Sequence, residues 1–156
     1  MSLLDQQAAK LNDALWAFSR AYQFRDRDRI CCHDISVTQC HALDVLIRRD
    51  RCTLNELAAE LFLDKSTASR VVATLERKGY VARTRHPGDP RAVLLAATPA
   101  GQKLHARIMA DMVAERRQIL ANFPPEVRAS AAELVRRLTA AVKTRAACAP
   151  RAVASA

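Results

Sequence analysis

The chain has 156 residues, half of them apolar by count, and a formal net charge of +9. This composition predicts one globular domain with an ordinary core, and its longest apolar run, Ala92–Ala97, is too short to cross a bilayer. The N-terminus lacks the basic and apolar regions of a secretory signal, so we expect a cytoplasmic protein whose five cysteines form no disulfide framework.

The first predicted element is an amphipathic helix of about twenty residues. Apolar side chains recur along it at alternating steps of four and three, at Leu4, Ala8, Leu11, Leu15, Phe18 and Tyr22. This spacing places them in one stripe along one side of a helix. The charged run at 25–29, where Arg and Asp alternate, is expected to be irregular and to end the helix.

A segment rich in thiols and imidazoles follows, just before and inside the start of a helix that Ser36 or Thr38 is predicted to cap. Its candidate effector or metal ligands are Cys31, Cys32, Cys40 and His41. A helix N-terminus stabilises a thiolate, and neighbouring thiols suit thiophilic ions such as arsenite, mercury or copper(I). The spacing matches no compact structural zinc pattern, and cysteine is often simply buried. The segment therefore predicts either a sensor of metals, metalloids or oxidants, or a packed corner of the core.

A helix-turn-helix is predicted next. Thr53 and Glu56 have the spacing of a capping box that opens a short helix, and residues 62–64 make the turn. Asp64 caps a second helix that runs to Lys78. The residues facing outward near its start are Lys65, Ser66, Thr67, Ser69 and Arg70. Arg binds guanine through two hydrogen bonds and Ser or Thr contacts bases or phosphates, so this helix is predicted to enter a major groove.

The three glycines of the chain mark the ends of a predicted β-hairpin. Gly79 follows a basic last helical turn and is predicted to close it with a positive φ. Gly88 lies in a turn between two β-prone runs. Gly101 follows Thr98, which is predicted to cap a long helix. This order of helix, hairpin and helix is typical of the wing of a winged helix.

Positive charge is concentrated in the same region. Between Lys65 and Arg91 the chain has seven basic and two acidic residues, and Arg83 and Arg85 lie on the predicted hairpin. Neutralisation of phosphates by such a surface supplies most of the sequence-independent affinity for duplex DNA. A membrane partner fits poorly, because the charge does not lie opposite a wide apolar helix face.

Two further helices are predicted after the hairpin. The first begins at Pro99 and carries Leu104, Ile108 and Met112 on one stripe until Pro124-Pro125 ends it. The last helix carries another apolar stripe. One basic helix grips only one half-site, and three stripes lack a partner, so the first and last two helices are predicted to form a homodimer. The alternative is that these stripes pack within one subunit.

The predicted fold is mainly α with a small β-wing, as a single domain over residues 1–147. Within it, about 36–98 form the winged helix-turn-helix, and 1–28 and 99–147 form the dimerisation helices. The tail at 148–156 is expected to be disordered.

These motifs, in this order, resemble the MarR family of bacterial transcriptional regulators, over nearly the whole chain. The resemblance is carried by Leu57-Ala58, Ser66–Arg70, Asp89-Pro90-Arg91 and Thr98–Gly101. It implies that residues 65–70 read the major groove and that Arg91 enters or flanks the minor groove, with Asp89 orienting its guanidinium. The homodimer predicted from the apolar stripes implies a pseudo-palindromic DNA operator.

One position departs from the family pattern. Phe62 stands in the turn where the family often has Gly or another small residue. A bulky residue is strained at positive φ, so the turn is expected to be more helical than usual, or Phe62 to anchor into the core.

The expected function is a repressor released from DNA by a small effector. Zinc-responsive members of the family resemble this chain at Thr38-Gln39 and His41, which implies His105 as a further zinc ligand. A thiophilic metal, metalloid or oxidant is one predicted effector class, and a small phenolic or aromatic ligand is the alternative. A protein-binding winged helix fits less well, because its wing would be acidic or apolar. A thiol enzyme is disfavoured, because adjacent helical residues such as Cys40 and His41 point about 100° apart.

Overall fold

The computed structural model describes the backbone of residues 2–31 and 33–148, and their side chains except at 25–29, 31, 90, 91 and 145–148. In chain order the elements are α1 (Leu3–Cys31), α2 (Val37–Arg49), β1 (Cys52–Thr53), α3 (Leu54–Glu60), α4 (Lys65–Arg77), β2 (Val81–His86), β3 (Asp89–Ala97), α5 (Pro99–Leu120) and α6 (Pro125–Cys148). The predicted fold class, mainly α with a small β-wing, is confirmed.

Helix α1 is longer than the sequence pattern indicates. The run at 25–29, which was expected to be irregular, is helical, and the helix continues to Cys31. Arg is a good helix former, and Asp costs at most about 0.7 kcal/mol, so alternating Arg and Asp without Gly or Pro does not stop a helix. The chain reverses later, at Asp34, whose φ of 63° lies in the left-handed region. Ser36 then caps α2 by accepting the Gln39 N–H at 3.2 Å.

Residues 1–112 form one compact unit. Its largest fully buried side chains are Leu43, Leu46, Leu57, Leu75, Leu95 and Ile108, contributed by α2, α3, α4, β3 and α5. Met112 joins this core and Leu104 packs against it. The apolar stripe in the first half of α5 is therefore filled within the subunit.

The three strands form one antiparallel sheet in the order β1-β3-β2. Arg83 lies opposite Leu95 and Arg85 opposite Val93, and the short β1 pairs Cys52 with Leu95 on the other side of β3. The hairpin turns at Pro87-Gly88. The wing predicted from the glycines is confirmed, and its sheet is anchored to the core through Leu95.

Residues 113–156 form the second compact unit, described as far as residue 148. It leaves large apolar side chains exposed at Val113, Ile119, Leu120, Phe123, Val127, Leu134, Val135 and Val142. In the first unit, α1 does the same at Leu3, Leu4, Leu11, Leu15, Trp16, Phe18 and Phe24. No helix in the described part of the chain has both the length and the apolar character to cross a bilayer. The tail predicted to be disordered lies outside the described residues, apart from Cys148 at the end of α6.

Candidate nucleic-acid interface

Both helices of the helix-turn-helix begin at a side-chain cap. The predicted capping box is present: Glu56 N–H donates to Thr53 Oγ1 at 3.3 Å, and Thr53 N–H donates to the Glu56 carboxylate at 2.7 Å. At α4, the Asp64 carboxylate accepts the Thr67 hydroxyl at 2.6 Å and the Thr67 N–H at 2.8 Å. These two hydrogen bonds from Thr67, the hydroxyl first, lower the pKa of Asp64. The hydroxyl of Thr67, which was predicted to contact DNA, therefore donates its hydrogen bond to Asp64.

Both helices also end in the same hydrogen-bonded motif. At the end of α3, Phe62 N–H donates to Ala59 O at 3.2 Å and Leu63 N–H to Ala58 O at 2.9 Å. At the end of α4, the N–H groups of residues 79 and 80 donate to residues 76 and 75 in the same pattern, at 2.8 and 2.9 Å. This paired arrangement is the Schellman motif, which requires a left-handed residue just after the helix. Gly79 supplies it at φ 77°, as predicted.

Phe62 supplies the left-handed residue at the end of α3, and here both sequence expectations are wrong. Its φ is 55°, so the turn is not more helical, and 63% of its side chain is exposed, so the ring does not anchor into the core. The two hydrogen bonds that close α3 impose the left-handed backbone on whatever residue stands at this position. The turn therefore stores backbone strain of about 1–2 kcal/mol.

Helix α4 presents one exposed face along its whole length. Lys65, Ser66 and Arg70 are exposed as predicted, whereas Ser69 is half-buried. The face continues through Ala73 and Arg77, which are not among the predicted site residues. The steps of three and four residues from Arg70 place both on the same side of the helix, so helical spacing alone would have found them. No ion pair links Lys65, Arg70 or Arg77 to another residue in the described part of the chain.

The wing carries cations on the sheet face shared with buried Val81. Val81, Arg83 and Arg85 alternate along β2 and therefore point to the same side. Arg83 Nε lies 2.7 Å from Glu76 Oε1 in the last turn of α4. Arg85 is exposed. The side chain of Arg91, and with it the predicted contact to Asp89, lies outside the described residues.

The end of α4 is joined to the start of α5. Thr98 N–H donates to Tyr80 O at 3.0 Å, and the Thr98 hydroxyl donates to Gly79 O at 2.7 Å. The same hydroxyl oxygen accepts the Gly101 N–H at 3.1 Å, so Thr98 is the predicted helix cap. A Cβ at Gly101 would lie only 2.2 Å from Tyr80 O. This glycine is needed for close backbone approach, in addition to its predicted place in the first helical turn.

A second connection ties the α4 end to the corner between α1 and α2. Lys78 Nζ donates to the main-chain oxygen of Asp34 and lies 3.2 Å from its carboxylate. His33 Nε2 in the same corner lies 3.2 Å from Asp111 Oδ2 on α5. The residues just after the Cys31-Cys32 pair are therefore held against both the recognition helix and α5.

The candidate effector ligands do not gather in the described part of the structure. Cys40 is only 3% exposed and belongs to the core, whereas His41 is exposed. His105 lies beside Asp44 of α2, with Nε2 3.4 Å from Oδ1. Among the described residues, no group of three or more His, Cys, Asp or Glu side chains is placed to hold a metal ion. Cys32 and the side chain of Cys31 lie outside those residues.

Two capped helices, a basic exposed face on the second and an antiparallel wing define a winged helix-turn-helix DNA-binding protein. Residues 33–92 match the family model described as the MarR family. The chain is 30% identical over 139 residues to Mb0904, an uncharacterised HTH-type transcriptional regulator of Mycobacterium bovis. This match covers 85% of this chain and 94% of that protein. It is 31% identical over 107 residues to the HTH-type transcriptional regulator TtmR of Methylorubrum extorquens, but the match spans only 53% of that protein and 69% of this chain.

Solved structures show the same fold. A MarR family protein from Bacillus stearothermophilus has a TM-score of 0.82 at 22% identity, covering 91% of this chain and 99% of that chain. A mutant MarR from E. coli, complexed with operator DNA, has a TM-score of 0.69 at 19% identity, covering 88% and 99%. The chain belongs to the MarR family and is a DNA-binding transcriptional regulator.

Proposed function

We propose that this regulator is a homodimeric repressor that binds a pseudo-palindromic operator and is released by a small effector. The observation that carries the proposal is the uninterrupted exposed face of α4, with Ser66 and Arg70 at its start and Arg77 at its end. A helix of this kind enters the major groove with its N-terminal residues at the base edges. The exposed Arg85 of β2 and Arg91 of β3 supply the contacts to phosphate and minor groove.

Dimerisation is supported by apolar side chains that the single subunit leaves exposed. In α1 they include Leu11, Leu15 and Phe18, and in α6 they include Leu134 and Val135. Monomeric proteins rarely expose so many large apolar side chains on neighbouring turns, and symmetric association is the usual way to bury them. Light scattering of the purified protein at micromolar concentration is expected to give the mass of two subunits. A single-subunit mass would contradict the proposal.

The proposed interface is tested by replacing one arginine in each DNA-contacting element. Arg70→Ala is expected to cost about 1–3 kcal/mol of operator binding and to relax the preference at one base pair per half-site. Arg91→Ala is expected to lower affinity on all sequences and to flatten its dependence on salt. Arg48→Ala is the matched control, since Arg48 pairs with Asp44 within α2. Parent-like operator binding by both test variants at physiological salt would refute the assigned DNA face.

The effector is proposed to act on Cys31 and Cys32, which directly precede in sequence the corner at His33 and Asp34. The support is the pair of contacts from this corner, Lys78 to Asp34 and Asp111 to His33. A thiophilic metal or metalloid, or oxidation of the two thiols, would change the conformation of the corner. The contact between Asp34 and Lys78 would then displace the end of the recognition helix. Both recognition helices of a dimer must enter successive major grooves at the same time. A small displacement of one helix therefore removes the DNA contacts of one half-site.

The test is operator binding by Cys31→Ser/Cys32→Ser protein with and without zinc, arsenite and peroxide. Release of the parent and no release of the variant is expected. Cys52→Ser is the matched control, because Cys52 is a buried thiol outside the candidate effector residues. If the parent responds to none of the three reagents, the cysteine proposal is wrong and a small phenolic or aromatic ligand becomes the effector to test.

A further inference from the structure

We propose that the ion pair between Glu76 and Arg83 sets the DNA-sequence specificity of this regulator, by fixing the wing against the recognition helix. In this proposal Arg83 is a positioning residue and does not contact phosphate, contrary to the sequence-based assignment. The inference rests on the proposed DNA face of α4 and the wing, and it adds a device that holds the two parts of that face in register.

The pair joins the two elements that approach DNA. Glu76 lies in the last turn of α4, and Arg83 lies in the middle of β2. Their side chains are 28% and 40% exposed, and Arg83 Nε is 2.7 Å from Glu76 Oε1. A direct contact at this distance between an exposed guanidinium and a half-buried carboxylate restricts both side chains. The Arg48–Asp44 pair, by contrast, lies within α2 and leaves the relation between elements unchanged.

The position of Glu76 is costly unless it has such a role. It is the sole acidic residue in the sequence from Lys65 to Gly88, the stretch that holds the recognition helix and the first strand of the wing. A carboxylate there repels phosphate and, by pairing with Arg83, removes one cation from the attraction to DNA. The pair therefore adds no net charge to the DNA face. Its contribution is to fix the position of the wing relative to α4.

The position of the wing relative to the recognition helix affects binding to the operator more than binding to random DNA. The recognition helix and the wing must meet a major and a neighbouring minor groove at the same time. A wing that moves freely still attracts phosphates on any duplex, but it satisfies the operator geometry only part of the time. Fixing the wing thus raises the ratio of operator affinity to random-DNA affinity.

Glu76→Gln separates this proposal from simple charge effects, because the two predict different outcomes. If only charge matters, removal of a carboxylate raises affinity for operator and random DNA by the same factor. If the pair positions the wing, affinity for random DNA rises while the operator-to-random ratio falls, by about threefold to tenfold for two pairs per dimer. Glu60→Gln is the matched control, because Glu60 also pairs with an arginine, but that arginine, Arg49, lies on α2 and not on the wing. Its ratio is expected to match the parent.

Arg83 variants provide the second measurement. A phosphate contact predicts that Arg83→Gln lowers the slope of log affinity against log salt by about one unit per lost contact. The positioning role predicts a parent-like slope on operator, a lowered ratio, and no further loss in the Glu76→Gln/Arg83→Gln double variant. Arg83→Lys, which keeps the charge and loses the planar geometry, is expected to recover part of the ratio.

The outcomes distinguish this inference from the function beneath it. The operator is first selected from random duplexes with the parent protein, and failure to select any sequence would refute the proposed function and this inference with it. If the parent selects an operator but Glu76→Gln changes affinity for operator and random DNA equally, the inference alone is overturned. Thermal unfolding of each variant confirms that the compared proteins are folded.

Discussion

The ends of α3 and α4 close with the same pair of hydrogen bonds but use opposite residue types. The end of α4 has Gly79 in the left-handed position, followed by Tyr80, whose carbonyl accepts Thr98 N–H. The end of α3 has Phe62 in that position, with most of its ring exposed. The end of α4 is unstrained and hydrogen-bonded to the start of α5. The end of α3 is strained, and the chain runs from it through Leu63 to Asp64, the cap of α4.

The difference shows that the hydrogen-bond motif, and not the residue, decides the backbone at a helix end. Gly79 lowers the cost of the motif, and the close approach of α5 to Tyr80 uses the space left by the missing side chain of Gly101. At Phe62 the motif forms in spite of the side chain, and its strain remains in the turn of the helix-turn-helix. The following substitutions test this comparison, from the largest expected effect to the smallest.

Gly101→Ala is expected to have the largest effect, because it disrupts the contact between the start of α5 and the end of α4. The added Cβ would meet the backbone oxygen of Tyr80 at 2.2 Å, and that oxygen is held in place by the hydrogen bond from Thr98 N–H. Overpacking against backbone should cost about 3 kcal/mol or more of the free energy of unfolding. Chemical denaturation measures the loss. Gly88→Ala is the control, since its Cβ would meet only the His86 ring at 3.6 Å; an equal loss in both variants would contradict the close-approach argument.

Gly79→Ala should have a smaller effect, because no atom lies within 4 Å of the added Cβ. Its cost is the left-handed backbone alone, about 1–2 kcal/mol. The same denaturation experiment measures it. A loss as large as that of Gly101→Ala would mean that the end of α4 depends on more than backbone conformation.

Phe62→Gly is expected to stabilise the protein, by about 0.5–1 kcal/mol after the greater flexibility of glycine in the unfolded chain is subtracted. Phe62→Ala removes the ring but keeps the strain, so it should give no such gain. An increase in unfolding free energy that is equal for both variants would assign the effect to the exposed ring and not to the backbone.

The smallest effect concerns the start of α4. Hydrogen bonds from Thr67 lower the pKa of Asp64 in the folded state. A carboxyl with a lowered folded pKa stabilises the protein above its unfolded pKa of about 3.9, and this contribution is lost as the pH falls through the folded value. The stability difference between the parent and Asp64→Asn, which cannot titrate, should therefore shrink below about pH 4. A difference that stays constant from pH 7 to pH 3 would rule out this coupling.

Features set by neighbours in sequence were predictable. The caps at Ser36, Thr53 and Asp64 depend on residues three positions away, and the conformation of Gly79 depends on one helix end. Arg77 was predictable in the same way from helical spacing, although it is not among the predicted site residues. Local chemistry thus accounts for the helix-turn-helix and the wing.

Features set by the packing of distant segments were not predictable from sequence. The need for Gly101 arises from Tyr80 O, twenty-one positions earlier in the sequence, and the pairing of Arg83 arises from the angle between β2 and α4. Phe62 misled because its own preference opposes the hydrogen bonds that close α3. The conformational preference of a single residue is weaker than these contacts. Where the two favour different backbone conformations, the contacts determine the structure.

The buried thiols of Cys40 and Cys52 have a consequence for measuring motion. Cys52 is almost fully buried beneath the pairing of β1 with β3, and burial raises the pKa of its thiol. An alkylating reagent at neutral pH therefore modifies it only during transient opening of that pairing. Peptide-resolved labelling rates at the two positions would give the opening free energy of the wing anchor and of α2 separately. Repeating them with operator bound would show which of the two the DNA holds shut.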